Sequence, residues 1–288
     1  MDNRDEVREF LTSRRAKISP QQVGLPAGTK RRVPGLRRSE VAALADVSVE
    51  YYAKLERGNL AGVSPAVLEA LARALRLDDA ERTHLLHLAQ AAEGSDTLAR
   101  PRRPKKSWTP DPSMQWTLDA ITTGLAFITN GRTDILATNQ LTRAFYTDLF
   151  HGDATTPNLA HYQFLDPAAR RFYLDWDTAA DMTADVLRTE AGRDPYDKGL
   201  HDLVGELSTR SDDFRTRWGS HNVRYHATGV KRFHHPVVGD LTLAFQSLTM
   251  PADPGYTLVV YTAEPGSPSE EGLRLLASWA AHPAQPTT

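Results

Sequence analysis

Five residues in the stretch "ADVSVEYYAKLERG" place base-reading groups on the outer side of one short helix: Ser48, Val49, Glu50, Tyr51 and Lys54. A carboxylate can accept from a cytosine amino group, a Val methyl can touch a thymine methyl, and an ammonium can pair with phosphate or guanine. Tyr51 adds a hydroxyl or a ring edge. This is the chemistry of reading DNA, not of breaking bonds. Upstream, between Phe10 and Ser39, come Arg14, Arg15, Lys17, Lys30, Arg31, Arg32, Arg37 and Arg38, with no acid among them. Lys30, Arg31, Arg32 and Arg37 are expected to meet phosphates, which fixes position and steepens salt dependence without specifying sequence.

Other chemistry is poorly represented. There are no cysteines, which excludes disulfides, thiolate catalysis and Cys-ligated metal, and fits a reducing cytoplasm. The sequence carries no nucleophile elbow, Walker loop, dinucleotide fingerprint or HExxH, so no catalytic residue and no cofactor is expected. Asp212-Asp213 reads as a helix cap followed by a first-turn acid. His84 and His87 lie three apart on a helix but lack a partner to complete a metal site, and are expected to be surface histidines. His234 and His235 are adjacent on a strand, so they point to opposite faces and cannot readily share an ion. No signal peptide or apolar run long enough for a membrane span is seen, and a cytoplasmic location is expected.

The base-reading residues need a scaffold, and the flanking pattern predicts one. Arg38–Ala45 forms a helix with Val41, Ala42, Leu44 and Ala45 inward. Asp46, which tolerates left-handed backbone, makes a corner plugged by Val47. Ser48 caps a second helix whose buried positions are Tyr52 and Leu55 and whose end is Gly58. Further helices are expected over Asp5–Arg15, from the Ser64 cap and Pro65, and from Asp78 or Asp79. The result is an all-α, five-helix domain over 1–92.

Residues 93–112 are rich in Pro, Ser and charge and read as a linker; its "RPRRPKK" either reaches a minor groove or is simply solvated. Over 113–288 the pattern changes. "GLAFITNGRTDILATN" has two apolar runs around Asn130-Gly131, a hairpin signal because both positions accept positive φ. Helices follow at Gln140–Phe150, Asp166–Trp176, Thr178–Glu190, Pro195–Ser208 and Asp212–Trp218. Three strands and a final helix, Pro268–Ala280, complete an α+β domain: an antiparallel sheet with helices on one face. Charge divides the same way. Residues 1–106 hold 20 Lys+Arg against 14 Asp+Glu, and residues 107–288 hold 14 against 22. A basic front suggests a polyanion-binding module, although a solvated basic face remains the plainer reading.

The stretch "RRVPGLRRSEVAALADVSVEYYAKLERG" resembles the XRE/Cro-type helix-turn-helix family along its whole length, with Asp46 where a glycine is usual. The resemblance implies that the helix after Ser48 meets base edges and flanking phosphates, that Arg38 anchors a phosphate or an outer base, and that the protein binds double-stranded DNA as a homodimer.

The rear half resembles the ligand-binding domain of MmyB-like transcription regulators, from about Asp111 to Trp279. The carrying segments include "DAITTGLAFITNGRTDILATNQLTRAFY", "NLAHYQFLDPAARRFYLDW" and "KRFHHPVVGDLTLAFQSLTM". This implies a PAS-like fold and a small apolar, fatty-acid-like effector. Phe127, Phe145, Phe164, Trp176, Phe214, Trp218, Tyr225 and Phe233 are the aromatic candidates to line its site; ordinary core packing is the competing reading for each. Arg224, Lys231 or Arg232 could hold a ligand carboxylate if one of them faces inward; that each faces water is the plainer reading. Two other functions stay open: a constitutive architectural or antitoxin-like DNA-binding dimer without ligand, and an enzyme fused to a DNA-binding module.

Overall fold

Apolar residues three and four apart, closed by Ser or Asp caps, build the front of the chain as helices. A computed structural model describes residues 3–26, 31, 33, 35–94, 108–150, 156–220 and 226–281. It shows α1 (Asn3–Lys17), a single 3-10 turn (Pro20–Val23), α2 (Arg38–Leu44), α3 (Val49–Glu56), α4 (Pro65–Ala74) and α5 (Asp79–Gly94). Lys30, Arg32, Tyr225 and most of the expected linker lie outside the described residues.

Contacts group the chain into two compact units. The first holds Met1–Pro104 together with Arg188–Asp202 and Thr216–Tyr225. Its core joins Val7, Phe10 and Leu11 of α1, Val41 and Ala42 of α2, Tyr52 and Leu55 of α3, Leu68 and Leu71 of α4, and Leu85 and Leu88 of α5. Leu44 departs from expectation at 38% exposed. Val41, Ala42 and Ala45 already fill the inward stripe of so short a helix, and Leu44 falls to its side. Asp46 takes φ 53 at the corner, as its side chain permits. Val47 donates to Ala42 O at 3.0 Å and packs on the core.

The second unit holds Lys105–Leu187, Leu203–Arg215 and His226–Thr288. The elements of the rear half are α6 (Pro112–Ala120), β1 (Leu125–Asn130), β2 (Ile135–Thr138), α7 (Gln140–Phe145), α8 (Thr147–Phe150), α9 (Leu159–Leu165), α10 (Pro167–Phe172), α11 (Trp176–Arg193), α12 (Lys198–Arg210), α13 (Asp212–Gly219), β3 (Thr228–His235), β4 (Gly239–Thr249), β5 (Tyr256–Ala263) and α14 (Pro268–Ala281). The strands form one antiparallel sheet in the order β2-β1-β5-β4-β3. This is the expected α+β architecture.

The helix expected over Gln140–Phe150 is two, α7 and α8, interrupted at Tyr146. The β1–β2 hairpin forms, but its positive φ belongs to Thr133 and not to Asn130 or Gly131. Asn130 Oδ1 instead accepts from the backbone N–H groups of Arg132 and Asp134, an Asx-type turn. The inward sheet face carries Leu125, Phe127, Phe233, Leu243, Phe245 and Tyr261, packed by residues of α7, α9, α10, α11 and α14. The opposite face of β1 and β2 also has a cover: Leu118 of α6 packs with Ala126, Ile128 and Ala137.

Candidate nucleic-acid interface and ligand-binding core

The short α3 is fastened on one side and open on the other. Ser48 Oγ accepts from Tyr51 N–H at 3.0 Å, which caps the helix start. Tyr52, Leu55 and Glu56 form its buried side. Ser48, Val49, Glu50 and Lys54 are exposed, Val49 at 42%. Tyr51 is half-buried and leans on the core. The structure thus leaves Ser48, Val49, Glu50 and Lys54 on the free side of α3, with Tyr51 at its border. Arg57, the C-cap of α3, is exposed too, and was not anticipated.

Glu56 is the polar root of the motif. Arg15 Nε donates to its Oε1 at 2.5 Å, Arg38 Nε donates to its Oε2, and the Tyr52 hydroxyl donates at 3.4 Å. Arg15 Nη1 also donates to Leu36 O at 2.9 Å. One buried carboxylate therefore joins α1, α2 and α3. An acid at i+4 from the buried Tyr52, with a basic run upstream, was its signal in the sequence. Arg38 combines this tie with exposure: 55% of its side chain stays accessible.

The other cations divide. Arg37 is exposed, and its backbone N–H donates to Glu40 Oε2 at 2.6 Å. Arg31, expected to meet phosphate, turns inward. Its Nη1 and Nη2 reach the two oxygens of Glu40 at 2.7 Å each, and Nη2 also reaches Gly35 O at 2.8 Å. A carboxylate and a carbonyl within reach satisfy a planar fork better than water does. These hydrogen bonds hold the Glu40 carboxyl at about 2.

A second buried charge cluster lies in the same unit. Arg188, 1% exposed, donates through Nη1 to both oxygens of Glu6 at 2.8 and 2.7 Å, and through Nη2 to Trp218 O. Its guanidinium lies 3.6 Å from the Trp218 ring centroid. Burial pushes the Glu6 carboxyl up, but His84 and Arg188 outweigh it and hold the group at about 2. His84 is not on the surface as expected. It is 1% exposed, edge-on to Phe10, with Nε2 3.8 Å from Glu6 Oε1. It fits because Gly192 leaves room for its ring. Burial lowers its pKa. Among the described residues no group of three His, Cys, Asp or Glu could hold a metal ion.

The expected ligand-lining aromatics separate in the structure. Phe127, Phe145 and Phe233 sit in one cage with Tyr146, Phe172, Tyr173 and Tyr261; Phe145 lies 5.1 Å from Phe172 and 5.0 Å from Phe233. Phe164 makes an edge-on neighbour of Phe214 at 5.0 Å and of Trp176 at 6.2 Å. Trp218 stands apart, beneath Arg188 in the first unit, because the guanidinium offers its ring a cationic face. The cage also holds hydroxyls: Tyr146 and Tyr173 meet at 3.5 Å, and burial raises both pKa values. A separate groove of about 410 Å³, lined by Asp119, Thr122, Gln140 and Ala277 among others, is more polar. Of the two cations on β3, Lys231 is on the inward face and Arg232 on the outward one, paired with Asp175 at 2.6 Å.

A capped, rooted and outward-facing second helix defines a helix-turn-helix, here in a chain that also carries an α+β unit. Residues 8–85 match a helix-turn-helix domain family, and residues 110–276, more than half the chain, match the family described as the MmyB-like transcription regulator ligand binding domain. The chain belongs to that MmyB-like family. It is a DNA-binding regulator, and both matched families are regulatory ones, not enzyme families. No curated protein gives a significant match. Among the described residues no helix is long and apolar enough to cross a membrane.

Proposed function

We propose that this regulator reads a specific DNA sequence in the cytoplasm as a homodimer, through the outer side of α3, and that its second unit holds a small apolar effector. The observation that carries the DNA reading is the exposure of Ser48, Val49, Glu50 and Lys54 on a helix whose opposite side is fixed by Tyr52, Leu55 and Glu56. In this reading Glu50 and Val49 select bases, Tyr51 and Lys54 meet base edges or phosphates, and Arg38 and Arg37 position the module on the backbone. One such module offers few base contacts, so two copies on a pseudo-palindromic site supply the affinity. The match to a ligand-binding domain family supports the effector reading, and the aromatic, partly hydroxylated core of the second unit is where an apolar molecule would be accommodated. Effector and DNA are then coupled only through the effector's differential affinity for the DNA-competent arrangement.

Selection of DNA from a random pool by the full chain tests this directly. The expected product is one enriched motif with two related half-sites, altered at defined positions by Glu50→Gln. Enrichment that ignores α3 substitutions refutes the assignment of the reading helix. Extraction of the denatured protein followed by mass spectrometry tests for a retained apolar molecule.

A further inference from the structure

Helices α11 and α13 each contribute to both compact units. The start of α11 gives Trp176, Ala179 and Ala180 to the core of the second unit. Its end, from Arg188 on, belongs to the first. In α13, Phe214 packs edge-on to Phe164 within the second unit, while Trp218 belongs to the first. The two ends that belong to the first unit converge on one acid of α1. Arg188 donates to both oxygens of the buried Glu6 and to Trp218 O, and its guanidinium lies over the Trp218 ring. Gly192, one turn further along α11, seats His84 of α5.

Glu6 stands near the start of α1, and Arg15 stands near its end. Arg15 donates to Glu56, the carboxylate that roots α3 and also holds Arg38. One helix is therefore clamped by Arg188 at one end and clamps the reading helix at the other. A buried guanidinium with charge-assisted hydrogen bonds to a carboxylate and a ring against its face has one well-defined position. Coupling between sites is carried by packed side chains and rigid elements of this kind.

We infer that Arg188 is a positioning residue for DNA reading: through Glu6 and α1 it sets where α3 stands, and it makes α11 the route by which a rearrangement in the second unit's core changes DNA affinity. The paired arrangement is the DNA-competent one. The inference rests on the reading of α3 as the DNA-contacting helix and needs no particular effector.

Binding of the full chain to the duplex it enriches from a random pool, followed by fluorescence anisotropy at several salt concentrations, tests it. Ala180→Leu overpacks the second-unit part of α11 and is expected to weaken binding roughly ten-fold, within the usual range of coupling between sites. In an Arg188→Met background the same change should add less than about two-fold. Arg188→Met alone should weaken binding roughly ten-fold with an unchanged salt slope, because a buried guanidinium releases no counterions from DNA. Arg188→Lys, which keeps a cation against Glu6, should bind more tightly than Arg188→Met. Leu243→Ala, in the same core but on β4, should lower the melting temperature and leave affinity within about two-fold. Thermal melts confirm folding at the assay temperature. Where a variant does not fold, Ala180→Val replaces Ala180→Leu, and Glu6→Gln with Arg188→Met removes both buried charges together. Equal weakening by Ala180→Leu in both backgrounds, no weakening in wild type, a loss that Leu243→Ala reproduces, or a salt slope lowered by Arg188→Met overturns the inference and leaves DNA reading by α3 standing. A wild type that enriches no duplex overturns both.

Discussion

Arg15 and Glu56, 41 residues apart, meet at 2.5 Å beneath the helix that faces outward. The carboxylate is 1% exposed and also holds Arg38. Arg38 is 55% exposed and hydrates when released, so the cost of Glu56→Ala comes from Arg15 and the buried Tyr52 hydroxyl and is expected to be about 1–3 kcal/mol. Urea denaturation measures the loss. DNA affinity should fall with it, since α3 loses its tie to α1 and α2.

Acid should weaken the first unit through two carboxyls. Glu40 and Glu6 are both held at about 2, against an ordinary 4.5. A depressed folded-state value means that the stability is fully present above about 4.5 and is lost as pH falls from there toward 2. Stability followed by circular dichroism across that range should drop in wild type. Glu40→Gln should show a shallower drop and a lower plateau at neutral pH; an unchanged slope would show that Arg31 does not favour the ionised form.

Asp46 occupies the left-handed region at φ 53. Gly has no Cβ to oppose that conformation, whereas a β-branched residue does. Asp46→Gly should remain within about 1 kcal/mol of wild type, and Asp46→Val should lose about 1–2 kcal/mol. Thermal melts of the pair separate backbone strain from any contact made by the Asp side chain.

Lys54→Ala and Arg38→Ala should each weaken DNA binding and lower the slope of log affinity against log salt by about one. Lys54 is the cleaner test, because Arg38 also supports Glu56. Asp212→Asn, on the exposed start of α13, should change neither quantity.

Gly192 and His84 form an interlocking pair: a Cβ on Gly192 would run into the imidazole ring. Gly192→Ala should cost roughly 1–3 kcal/mol, as overpacked cores do. Combining it with His84→Ala should recover part of the loss, giving a double-mutant coupling that independent sites would lack.

The front helices were legible because their signals are local. Ser48, Ser64 and Asp46 act within four residues of themselves, and Tyr52 and Leu55 sit at the spacing that one buried face requires. The antiparallel sheet was legible from its β-branched runs. Long-range chemistry was not. Arg31 reads as a free cation until Glu40 is placed beside it, and His84 reads as a surface residue until Gly192 makes room for it. Trp218 looks like any other aromatic until Arg188 covers it, 30 residues away in sequence. Lys231 and Arg232 read alike as cations facing water until the buried Phe233 sets the register, after which alternation puts them on opposite sides.

Gly58, at φ 95, lies so close to α1 that a Cβ there would stand 2.7 Å from Arg4 Cα. The second helix therefore has a hard stop. Its eight residues span about 12 Å, close to the width of the groove such helices enter. Evolution, or an engineer, could not lengthen the reading surface by another turn without displacing α1; new binding preferences must come from exchanging side chains within a window of constant size.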